Sequence, residues 1–270
     1  MERRPGRVTL TDAVAFQRRP VETLARRRRT GGRLFPLTSA VAGPMLVVGA
    51  PELAHEVMYA PMGTYLAGAA NRRILPVLPE NSVLTLDGDP HRQRRRELAP
   101  MFHGDALKAI APVIRDLAAR EADGWPLGRP FAVLPRMRWL ALSVAVRLIL
   151  GIEDSAGVAQ VERHLRGALR PYAMLSGIGA LARLGPLSPQ AAAARGHRAF
   201  ARGLAGTIRC RREDPGDEAS VPERLGPDEV FALLLAAHET TATGLAWAIE
   251  QLAWGAHASS QVLSGRPWTR

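Results

Sequence analysis

The chain has 270 residues, 47% of them hydrophobic and 23% charged, with a formal net charge of +11. That balance suits a folded protein with a sizeable core and excludes global disorder. Every basic residue but Lys108 is arginine; the arginines are spread along the chain, dense only at Arg26–Arg29 and Arg92–Arg96, and with 5% aromatics and no zinc-finger or RNA-binding signature nucleic acid is not the expected partner.

The single cysteine, Cys210, excludes an internal disulfide framework and suits a reducing cytosol. The basic start Met-Glu-Arg-Arg-Pro-Gly-Arg is followed by no apolar signal core. Outside the last helix, the longest apolar run is Trp139 to Leu150, too short for a bilayer and interrupted by Arg147. The expectation is a soluble, cytoplasmic protein with no membrane anchor.

In chain order, residues 12–29 read as one basic amphipathic helix ending before Gly31-Gly32. Leu34 to Thr38 and Met45 to Val48, separated by Val41-Ala-Gly-Pro44, read as a short β-hairpin. Pro51 and Glu52 suit the first turn of another helix. From Ala60 to Pro90 no period is sustained, which reads as a long irregular segment of the kind that usually carries function.

Asp87-Gly-Asp-Pro-His-Arg-Gln-Arg-Arg-Arg-Glu-Leu98 ends that segment, with Asp89 as cap and Pro90 in the first helical position. Helical periodicity then covers Asp105 to Gly124, Pro135 to Gly151, Ser155 to Ser176 and Ser188 to Arg212. The breaks fall at Trp125-Pro-Leu-Gly128, Leu184-Gly-Pro186 and Asp214-Pro-Gly216. Gly226-Pro227-Asp228-Glu229 opens a final helix, and Phe231 to Trp254 is nearly all apolar except for His238-Glu239-Thr240-Thr241. A helix apolar on most faces is expected to be buried, so a charge and two hydroxyls at its centre need a partner or a task. Either the threonines bond back to carbonyls one turn earlier, or the cluster does chemistry. The architecture is mainly α with a small N-terminal sheet.

His91 and Arg95 stand four apart, hence on one helix face, where they can clamp a carboxylate or form a solvated basic surface. His238-Glu239 is not a zincin helix, because Ala242 stands where the second histidine is required. Walker, dinucleotide and nucleophile-elbow motifs are absent.

Leu84-Thr-Leu-Asp-Gly-Asp-Pro-His-Arg-Gln-Arg-Arg-Arg-Glu-Leu-Ala-Pro-Met-Phe-His103 resembles the segment leading into helix C of the cytochrome P-450 monooxygenases. Ala236-Ala-His-Glu-Thr-Thr241 resembles the oxygen-activating motif of their helix I, with Ala237 in place of the usual glycine. The resemblance runs from about Gly31 to Leu252 and is to soluble bacterial members; it implies helices A to I of that fold with its small N-terminal sheet. It further implies haem b as cofactor, with His91 and Arg95 at the propionates. Ala236 and Ala237 would line the distal pocket with Thr241 supporting, and Glu239 and Thr240 would form a proton relay. A hydrophobic small-molecule substrate, shaped by Tyr65 to Leu84, and a ferredoxin-type electron donor are implied too.

The family's haem-thiolate loop, Phe-x-x-Gly-x-x-x-Cys, is not found, and neither is its Glu-x-x-Arg pair. Cys210 precedes the last helix in an unrelated context, so no metal ligand is assigned. The expected organisation is a partial domain over 1–254 and an atypical tail over 255–270, with a frameshift near Trp254 as the hypothesis for a truncated gene product. The alternative to a monooxygenase is accordingly a catalytically inactive remnant or interaction module. Reading the downstream DNA in the other two frames checks the frameshift.

Overall fold

The computed structural model describes residues 10–39, 43–75, 77–176, 185, 188–213 and 225–254. The expected hairpin turn, the connectors at 184–186 and 214–216, and the tail at 255–270 lie wholly or partly outside these residues. Contacts divide the chain into two compact units, residues 1–95 with 167–199, and residues 96–166 with 200–270.

In the first unit, α1 (Leu10–Arg18) and α2 (Pro20–Gly31) replace the single helix expected over 12–29. Pro20 causes the break. Its ring disfavours a helical backbone at the residue before it, and Arg19 sits at φ −141°, ψ 69°. β1 (Leu34–Ser39) and β2 (Gly43–Val48) form the expected antiparallel hairpin, in register Leu34 to Val48 and Leu37 to Met45. Alternation buries Phe35 and Leu37 on one face. α3 (Pro51–Met58) starts on its proline as anticipated.

The stretch read as irregular contains a further helix, α4 (Ala67–Ile74). Its start is made by a distant residue. Gly68 and Ala69 donate their backbone N–H groups to the two carboxylate oxygens of Asp87, at 2.7 and 2.8 Å. Asp87 thus does for α4 what an N-cap does locally, from 18 and 19 residues away, which is why local pattern misses it. Gly68 is required there: a Cβ would lie 2.5 Å from the carbonyl oxygens of Thr85 and Leu86. Asn71 adds a bond to Leu84 O (2.7 Å), and buried Thr85 donates to Pro79 O (2.6 Å). This knot anchors the entry to α5 (Gly88–Leu98), which begins one residue before Asp89, so Asp89 lies in the first turn and pairs with Arg92.

In the second unit a 3-10 turn (Ala99–Phe102) leads to α6 (Asp105–Asp123) and α7 (Val133–Leu150). α7 ends on Gly151 in the left-handed region, φ 62°, donating to Arg147 O. α8 (Ser155–Ser176) and α9 (Pro189–Glu213) cross between the units, and α10 (Pro227–Trp254) closes the described chain. The predicted spans of these helices hold to within about two residues, the uncertainty intrinsic to helix ends.

α10 is α-helical without interruption through His238–Thr241, as the single final helix requires. It departs from expectation in not being buried throughout: Val230, Phe231, Ala232 and Leu234 are, whereas Leu245 and Trp247 are exposed, Trp247 at 64%. Only its N-terminal turns and the α7 side are covered among the described residues. Phe231 packs edge-on against Phe200 at 4.9 Å, and Ala242 is fully buried with Met137 and Ala141.

Candidate distal and propionate surfaces

His91 and Arg95 both lie within α5, four residues apart, so they share a face as the spacing predicts. His91 is half-buried and Arg95 exposed. Neither side chain makes a hydrogen bond or ion pair among the described residues, which leaves both free to take an anion.

On α10 the polar cluster divides by helical geometry. Thr240 donates its hydroxyl to Ala236 O at 2.6 Å, one turn back, and so satisfies itself without disturbing the backbone ladder. Ala236, Thr240, Thr243, Gly244 and Trp247 recur at three and four residues and are all exposed, forming one open stripe lined near its start by an alanine. Thr241 is exposed beside it and Ala237 half-buried.

Glu239 lies about 100° round from Thr240. It sits one turn before Ala242, on the side that packs against α7, and its carboxylate is taken by Arg138. Arg138 Nε–H donates to Oε2 at 2.9 Å and to Oε1 at 3.2 Å, and an Nη2–H also donates to Oε1. This two-pronged arrangement is the strong form of an arginine–carboxylate pair. The hydrogen bond to Glu239 raises the Arg138 pKa above its ordinary value, partial burial opposes this, and the charge attraction adds to it. Side-chain exposures of 45% and 44% mean that water still reaches both groups. His238 donates from Nδ1 to Leu234 O at 3.1 Å and holds Nε2 3.6 Å from Glu239 Oε2.

Arg138 was not foreseen from sequence. Its signal is a pair of arginines, Arg136 and Arg138, at the start of a mostly apolar helix, where each cation demands a partner. Arg136, two residues earlier and so on another side of α7, turns instead to α6. It donates to Glu121 Oε1 (2.9 Å) and Gly124 O (3.1 Å), while Trp125 Nε1–H donates to the same Glu121 oxygen. One arginine thus fixes the α6–α7 connection and the other fixes Glu239.

The residues anticipated for propionate contact belong to the first unit and those of α10 to the second. The described residues fit a haem in part. The first unit offers two unpartnered cationic or hydrogen-bonding side chains on one helix face, and the second an exposed α10 stripe of Ala236, Thr240, Thr243 and Gly244 that ends at Trp247. The described side chains offer no axial ligand: Cys210 lies within α9, and its side chain is outside the described set.

No family model matches the chain. It is 32% identical over 261 residues to the putative cytochrome P450 135B1 of Mycobacterium tuberculosis, covering 89% of this chain and 54% of that protein. It is 33% identical over 252 residues to the putative cytochrome P450 138 of the same organism, covering 85% and 55%. Among solved structures it resembles the cytochrome P450DA heme domain (TM-score 0.69, 19% identity, 93% of this chain and 58% of that one). It likewise resembles CYP154A1 from Streptomyces coelicolor (TM-score 0.65, 20% identity, 90% and 63%). The chain spans about half the length of the curated relatives it matches. In sequence and in its mainly helical fold with a small N-terminal sheet, it belongs to the cytochrome P450 family.

Proposed function

We propose that this chain carries the propionate-binding and oxygen-side surfaces of a haem b pocket, within a monooxygenase acting on a hydrophobic small molecule. The observation that supports this most is the open stripe of α10, where Thr240 stands one turn from Ala236 with its hydroxyl already oriented. Haem, when bound, supplies the activation of dioxygen. His91 and Arg95 hold its propionates by charge-assisted hydrogen bonds. Ala236 and Ala237 keep side-chain volume low beside the ring, with Thr241 supporting the wall. Because Thr240 spends its proton on Ala236 O, its lone pairs remain to accept a hydrogen bond from a proton-bearing group. Glu239, reached by solvent and oriented by Arg138, exchanges protons with water and passes them towards the Thr240 side.

Residues from Tyr65 to Leu84 would border the substrate, a ferredoxin-type protein would supply electrons, and the protein would work in the cytoplasm. No helix among the described residues is long and apolar enough to cross a membrane.

A second reading, a haem-free interaction module, draws on one observation: the only cysteine of the sequence falls within the span of α9. Haem titration of the purified chain separates the two. A saturable Soret change, weakened roughly ten-fold or more by His91→Asn or Arg95→Gln, supports the pocket. No saturable change leaves the interaction module. A carbon monoxide difference spectrum of the reduced, haem-loaded chain then reads the ligand, a thiolate-type band meaning that this chain supplies the sulfur.

A further inference from the structure

In the first unit, the break at Pro20 separates α1 from α2 and leaves a groove of about 870 Å³ between them. One wall brings Val14, Ala15 and Arg18 from α1; the other brings Ala25, Arg26 and Arg29 from α2. Within Leu10–Gly31, six arginines against Asp12 and Glu22 leave a charge of +4. Among the described side chains the groove has one carboxylate, and it is engaged: Glu22 accepts from Arg19 at 3.3 Å. Arg18, Arg26 and Arg29 have no hydrogen bond or ion pair on their guanidiniums among the described residues. Three free guanidiniums around one open groove will draw an anion, and their planar forks match phosphate oxygens two at a time.

The lining decides the class of anion. Val14, Ala15 and Ala25 put an apolar strip between the arginines, and Val14 is 49% exposed. A bare phosphate would leave that strip unused. A single-stranded nucleic acid would stack its bases on aromatic rings, and among the described residues the groove has none. A phosphate joined to an acyl chain satisfies both parts at once, as in basic helices that lie at lipid interfaces. We propose that the α1–α2 groove binds the phosphate headgroup of an anionic amphiphile, with Arg18, Arg26 and Arg29 on the phosphate and the strip on the adjoining chain.

The test is co-sedimentation of the full chain with vesicles of phosphatidylcholine containing roughly a third phosphatidylglycerol. Arg18→Gln, Arg26→Gln and Arg29→Gln together should lower partitioning by about a hundred-fold, at about five-fold per arginine. Arg115→Gln, Arg129→Gln and Arg202→Gln remove the same charge from exposed positions elsewhere and should cost less than about three-fold in total. Unchanged far-UV circular dichroism and denaturation midpoint certify both variants as folded. The proposal falls if the second variant loses as much as the first, if vesicles of phosphatidylcholine alone bind as well, or if polyglutamate or duplex DNA binds more tightly than the vesicles. Short-chain phosphatidylglycerol below its micelle concentration identifies the source: competition means the groove takes single molecules, and its absence means it reads headgroups at a lipid surface.

Discussion

On the side of α10 that meets α7, Ala242 has no exposed surface and Glu239, one turn earlier, is gripped by Arg138. On the neighbouring side, Thr240, Thr243, Gly244 and Trp247 are exposed, and among the described residues Thr240 bonds only to its own helix. Both sides are drawn from one apolar segment of similar composition. The difference shows that an apolar helix does not choose its own burial. Burial follows where another element supplies complementary volume, as Met137 and Ala141 do here, and an open stripe is what remains for a flat ligand or further packing.

Substitutions at graded depth test that contrast. The largest effect is expected at the covered N-terminal turns: Phe231→Ala, removing a fully buried ring and its edge contact with Phe200, should cost about 3–5 kcal/mol in denaturant unfolding. A value near zero would mean that these turns are not packed as described. Next comes Ala242→Leu, which forces three extra carbons between α10 and α7 and should destabilise by about 1–3 kcal/mol. Moved one residue to Thr243, the same leucine should stay within about 0.5 kcal/mol of the parent, since that side is open. Equal costs at 242 and 243 would erase the distinction between the two sides.

Smaller still is the Arg138–Glu239 pair. With each side chain more than two-fifths exposed, a double-mutant cycle of Arg138→Met and Glu239→Gln should give a coupling of only about 0.2–1 kcal/mol, falling with added salt. A coupling of several kcal/mol would instead place the pair out of water. The sign of the pH dependence follows from the raised pKa of Arg138. Its contribution is complete below the unfolded-state value and is lost only as pH rises through the still higher folded one. The arginine should therefore add no slope to stability between about pH 6 and 9. The smallest effect belongs to Trp247→Ala, expected to leave the unfolding midpoint nearly unmoved despite the size of the ring, because 64% of it is already in solvent.

What local pattern determines, it determines well where the physics is local. Prolines and glycines set the limits of α3, α7 and α10, and the four-residue spacing of His91 and Arg95 puts them on one face of α5 whatever surrounds them. The polar cluster at 238–241 and the segment around Pro90 were legible as a resemblance because they are contiguous in sequence. Pro20 is visible too, but the helical period continues across it, so period alone does not mark the break into α1 and α2. Tertiary structure alone decided the rest. α4 starts where Asp87 returns to meet two backbone N–H groups, Glu239 finds its cation 101 residues away on α7, and one side of α10 is covered while the next is not. Each of these is a pairing between groups far apart in the chain, and a period of 3.6 residues carries no information about which distant group will supply the other half.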